Sequence, residues 1–141
     1  MPSAYHIDRA LNLVISCGTG SIRDEDLVRH ARTLRADPLF APDMRQLVDL
    51  RFSSAADLTV PGLREIAQAH TFGAGSRRAI VASDDLAFGL ARMYEMLRDD
   101  GQDQVQVFRD LDEAIAWLAL ADARAQVHAT LGTLHRDRTL A

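Results

Sequence analysis

The sequence predicts a single α/β domain built on a five-stranded, mostly parallel sheet, and three observations carry that expectation. Two runs, Leu13-Val14-Ile15 and Ala79-Ile80-Val81-Ala82, are apolar without alternation, which marks strands covered on both faces. Such strands alternate with segments of helical period, the pattern that right-handed crossovers produce. The 141 residues, 48% hydrophobic and 26% charged, suffice for one core. No linker, repeat or shift in composition divides residues 1–134, and residues 135–141 read as a polar, frayed tail.

The elements follow in order. Residues 4–8 and 12–17 read as strands joined by a tight turn, so the first runs antiparallel. Gly18-Thr19-Gly20-Ser21 reads as a loop, with Ser21 capping a helix from Ile22 that carries Leu27, Ala31 and Leu34 and stops before Asp37-Pro38. A third strand spans 45–50 and a helix spans 59–72, with Pro61 in its first turn and Gly73-Ala74-Gly75 at its end. After the strand 79–82, Ser83-Asp84-Asp85 opens a helix with the stripe Leu86, Leu90, Met93 and Leu97. Asp99-Asp100-Gly101 turns into a fifth strand, 104–108. Asp110 to Glu113 forms a capping box for a helix with Ile115, Trp117 and Leu118, and alanine-rich helical sequence continues to Leu134, as the same helix or a second one. The order is β-β-α-β-α-β-α-β-α.

Composition excludes several function classes. The net charge of -4, with arginines interleaved among acids, argues against nucleic-acid binding. All basic residues are arginine, so there is no lysine for a Schiff base, a P-loop or general-base work. The lone Cys17 precludes an internal disulfide and fits a reducing compartment. With no signal-peptide pattern and no run near 18 apolar residues, the expectation is a cytoplasmic protein without a membrane span. The five histidines show no metal-ligand spacing and read as surface or helix-end residues. Neither a metal nor a cofactor is expected.

Open α/β sheets place ligands at the carboxyl ends of their strands. Asp49 ends an apolar strand there and Asp57 follows eight positions later at a helix start. The candidate ligand- or partner-binding residues at this edge are Asp49, Arg51, Asp57, Thr59, Ser83, Asp84 and Arg109.

Three stretches carry a family likeness: Leu47-Val48-Asp49-Leu50-Arg51 leading to Asp57-Leu58-Thr59, Phe88 through Glu95, and Val107-Phe108-Arg109-Asp110 through Trp117-Leu118. Through them the chain resembles the SpoIIAA-like group of STAS-type proteins, small stand-alone members related to lipid-transfer CRAL-TRIO domains. The resemblance implies a non-enzymatic module that binds a small apolar or anionic ligand, lipid-like molecules included, or a partner protein. The apolar helix from Leu111 reads either as packing on the domain or as a homodimer contact. Anti-sigma-factor antagonists of the wider family carry an Asp-Ser pair whose serine is phosphorylated. Asp57 falls at that aspartate, but Leu58 occupies the serine position, and Thr59 offers the nearest hydroxyl.

An alternative is catalytic. Cys17, five residues and then Arg23 resemble the phosphate loop of low-molecular-weight tyrosine phosphatases, with Asp37-Pro38 as the acid. Asp24 stands where that family has a hydroxyl residue, and its carboxylate would repel phosphate.

Overall fold

The computed structural model describes residues 3–98 and 103–140. Its elements are β1 (Ser3–Asp8), β2 (Leu13–Ser21), α1 (Asp24–Ala36), β3 (Arg45–Ser54), α2 (Val60–Ala67), β4 (Arg77–Val81), α3 (Asp85–Leu97), β5 (Gln104–Phe108), α4 (Leu111–Trp117), a 3-10 turn (Ala121–Ala123) and α5 (Arg124–Leu140). The sheet has five strands in the order β1-β2-β3-β4-β5. β1 is antiparallel to β2, and the remaining pairs are parallel, as expected. The turn between β1 and β2 places Asn12 at φ 52, a left-handed conformation asparagine tolerates, while the Leu11 N–H donates to Asp8 Oδ1 at 3.0 Å.

A sheet that grows in sequence order by right-handed crossovers must carry its crossover helices on one face. Accordingly α1, α2 and α3 cover one side, and α4 and α5 cover the other. Period-2 alternation sorts the side chains between them. Leu13, Ile15, Cys17, Leu47, Ala79 and Val81 join Ile115, Leu118, Val127 and Leu131 beneath α4 and α5. Ile80, Val105 and Val107 pack instead with Leu63, Ala91 and Tyr94 of α2 and α3.

Several boundaries differ from expectation. The segment 18–21 is no loop: after a register shift between Cys17 and Thr19, β2 continues to Ser21, paired with Phe52, Ser53 and Ser54 of β3. Pairing with this extension also prolongs β3 to Ser54. The N-cap of α1 is Arg23 rather than Ser21, with the Asp26 carboxylate accepting from the Arg23 N–H at 2.9 Å. On α3 the expected Leu90, Met93 and Leu97 pack against the core, but Leu86 does not. The buried positions of this helix are Ala87, Ala91 and Tyr94, while Leu86 is 53% exposed. Alanine allows the helix to approach the sheet where leucine would hold it off. After α4, Ala119 adopts φ 60 and ends the helix, so the C-terminal sequence forms two helices. α5 runs through Leu140 where a frayed tail from His135 was expected. The expected turn at 99–101 lies outside the described residues. No helix among the described residues is long and apolar enough to cross a membrane.

Candidate functional site

At the carboxyl edge, the seven candidate residues separate into local pairs. Asp49 is fully buried on the α5 face, where Arg51 donates to it from Nε and Nη2, both at 2.9 Å, and from its backbone N–H at 3.1 Å. His135 Nε2 of α5 lies 3.1 Å from Asp49 Oδ2. Burial opposes the Asp49 charge, but the Arg51 and His135 bonds together outweigh it and hold the carboxyl below its usual range.

Asp57 accepts from the Ser21 hydroxyl, not from Thr59. Thr59 is the N-cap of α2: its Oγ1 accepts from the Gly62 N–H at 3.0 Å and donates to Asp24 Oδ2 at 2.6 Å. A phosphate on Thr59 would remove this cap and meet the Asp24 carboxylate. Thr59→Ala is expected to lower stability by about 1 kcal/mol, the usual worth of a lost N-cap, as read by urea denaturation. Arg109 donates to the Ser83 carbonyl at 3.1 Å and to Asp85 at 2.8 Å, and Asp84 caps α3 through the Ala87 N–H at 2.7 Å.

The phosphatase geometry does not form. Cys17 is 2% exposed in the middle of β2, paired with both Ala4 and Asp49. The segment that follows stays in the sheet beside β3, with a register shift at Gly18 and Gly20 at φ 69, instead of leaving it as a loop around an anion. Arg23 and Asp37 cap opposite ends of α1, whose 13 residues hold them roughly 20 Å apart. Asp37 is bonded instead to the Tyr5 hydroxyl at 2.7 Å.

The space available to a ligand lies elsewhere: a cavity of about 140 Å³ between α1, α2, α3 and the sheet. Ala31, Ala55, Ala87 and Ala91 border it, so it exists where short side chains meet beneath three helices. Leu27, Leu34, Val48, Leu63, Ile80 and Leu90 are among the aliphatic residues of its wall. One end reaches the carboxyl edge at Ser53 and Ala55, although none of the seven candidate residues lines it. Ser53 is only 8% exposed, and its hydroxyl has no hydrogen-bond partner among the described residues. Most buried hydroxyls are paired, so an orphan facing a cavity points to an absent partner.

A connected polar chain borders the other end. His30 Nε2 lies 3.0 Å from Ser16 Oγ, and Gln46 Nε2 donates to the same Ser16 oxygen at 3.0 Å. Arg78 Nε donates to Gln46 Oε1, and its Nη1 donates to the Tyr94 hydroxyl and Asp103 Oδ2, each at 2.9 Å. Burial, with a smaller contribution from the Arg78 charge, pushes the His30 pKa down to about 4, so the ring is neutral near pH 7. His30 is therefore no surface residue, and the half-buried His135 is not one either. The described residues hold no cluster of His, Cys, Asp or Glu able to bind a metal ion.

The polar chain was missed in the sequence, although a signal was there. His30 sits three residues after Leu27 and four before Leu34, on the apolar stripe of α1. Arg78 shares its strand face with Ile80.

No family model matches the chain, and no curated protein matches it significantly. Among solved structures it is similar to an uncharacterised protein of the DUF3478 family with a SpoIIAA-like fold, from Shewanella loihica PV-4. The identity is 17% and the TM-score 0.55, over 83% of this chain and 94% of that one. The fold of the chain is thus SpoIIAA-like, a mixed five-stranded sheet with its first strand antiparallel, in agreement with the resemblance read from the sequence.

Proposed function

We propose that the chain is a non-enzymatic binding module that holds one small, mainly apolar molecule in the cavity beneath α1, α2 and α3. The observation that carries this reading is the cavity itself, about 140 Å³ and walled by aliphatic side chains. A dry cavity of about 150 Å³ is enough to bind benzene. The unpartnered Ser53 hydroxyl supports the same reading.

The test is native mass spectrometry of freshly purified protein, followed by thermal unfolding with added 1-octanol. A co-purified small molecule, or stabilisation by about 2.7 kcal/mol at a hundredfold excess over Kd, is the expected result. Ala91→Phe, which places a ring in the cavity, is expected to abolish it. A clean mass with no response to any apolar probe would remove this reading.

A second reading, a protein partner at the carboxyl edge, is favoured by exposed apolar residues there: Phe52 at 58%, Val60 at 41% and Leu86 at 53%. The same native spectrum tests it in part, since a homodimer through this edge would appear at twice the chain mass and be lost in Phe52→Ser.

A further inference from the structure

Building on the cavity reading, we propose that the bound molecule is a monoanionic amphiphile, an aliphatic or aryl monocarboxylate, whose carboxylate sits against the guanidinium of Arg78.

The charge count comes first. Arg78 and Arg98 both pair with the single carboxylate of Asp103, and all three side chains are largely buried, at 15%, 7% and 4% exposure. Arg78 therefore shares its one carboxylate partner with a second guanidinium, and its other partners, Gln46 and Tyr94, carry no charge. An anion entering the cavity would give this buried guanidinium a second charged acceptor.

The donors point the same way. Arg78 spends its Nε on Gln46 and its Nη1 on Tyr94 and Asp103, while its Nη2 has no acceptor among the described residues. Arg78 is a lining residue of the cavity, and the Phe72 ring packs on its guanidinium at 4.6 Å, which fixes the orientation of the fork. A planar guanidinium edge suits a planar carboxylate. With Nη2 as its one open nitrogen among the described residues, Arg78 suits a two-oxygen carboxylate better than the three terminal oxygens of a phosphate monoester. The remaining wall, with Leu34, Val48, Ile80 and Leu90, takes an apolar body.

The experiment compares octanoate with 1-octanol, equal in chain length, by isothermal titration of the full chain near neutral pH. Octanoate is expected to bind about 10- to 100-fold more tightly, the range for one charge-assisted hydrogen-bonded contact. Arg78→Gln is expected to collapse that ratio toward one. Should that variant fail to fold, the two ligands on the unaltered protein still decide. Equal or tighter binding of octanol overturns the carboxylate assignment and leaves the cavity reading standing. Octyl phosphate binding more tightly than octanoate overturns the monoanion. Undiminished octanoate binding to Ala91→Phe places the anion outside the cavity, and no binding of either ligand removes both readings.

Discussion

Replacing Asp49 by alanine is expected to lower stability by about 3 kcal/mol, the low end of the cost of breaking a buried ion pair. The low end applies because the stranded Arg51 is 29% exposed and can turn toward water, whereas Asp49 at 0% cannot. Asp49 ties its own strand to Arg51 and reaches His135 on α5, so its loss should also loosen the last helix. Urea denaturation of both proteins gives the difference, and a loss under about 1 kcal/mol would mean that the pair is worth no more than an exposed one. The carboxyl titrates lower in the folded chain than in the unfolded one. The stabilisation it provides is therefore present above the unfolded pKa, near 4, and is lost as pH falls through the folded value.

His30 shifts in the same direction for the opposite reason, burial that disfavours its charge, and in a different window. Its folded pKa of about 4 lies below the ordinary 6.5, so the unfolded chain takes up a proton that the native chain refuses. Stability should be unaffected by this group above pH 6.5, fall as pH drops from there to about 4, and level off below, where both states are protonated. A shift of that size corresponds to a loss of about 3 kcal/mol. The groups around the ring are the Arg78 cation, the Ser16 hydroxyl and Tyr5, edge-on at 5.5 Å. Denaturation across pH 7 to 4 measures the loss, and His30→Gln should flatten it. A profile in that window identical to the unaltered protein would show that another group carries it.

The sheet was legible because its strands obey simple rules. Leu13-Val14-Ile15 and Ala79-Ile80-Val81 have no polar alternation, and they belong to two of the three interior strands of the sheet. Segment ends were harder. Gly18 to Ser21 has the composition of a loop, but pairing with β3 supplies the backbone partners that composition does not reveal. The stripe on α3 was incomplete because leucines were weighted over alanines: Leu90, Met93 and Leu97 do pack against the core, but Ala87 and Ala91 are buried more deeply. The same preference hid the cavity, since a void is a property of what small residues leave unfilled in three helices at once. Asp49 and Arg51 were read as a polar strand end, whereas β3 runs on to Ser54 and they lie mid-strand. His135, the partner of Asp49, lies 86 positions away, a distance across which one sequence carries no pairing signal.

Strand order equal to chain order has a consequence during synthesis. Each of β2 to β5 can join its immediate predecessor as it leaves the ribosome, so the sheet and its α1–α3 layer can assemble progressively. The other layer cannot. Leu13, Ile15 and Cys17 emerge early, yet Val127 and Leu131, which cover them, are translated more than a hundred residues later. For that interval a nascent chain offers an apolar sheet face to whatever surrounds it, and the arrival of α5 closes it.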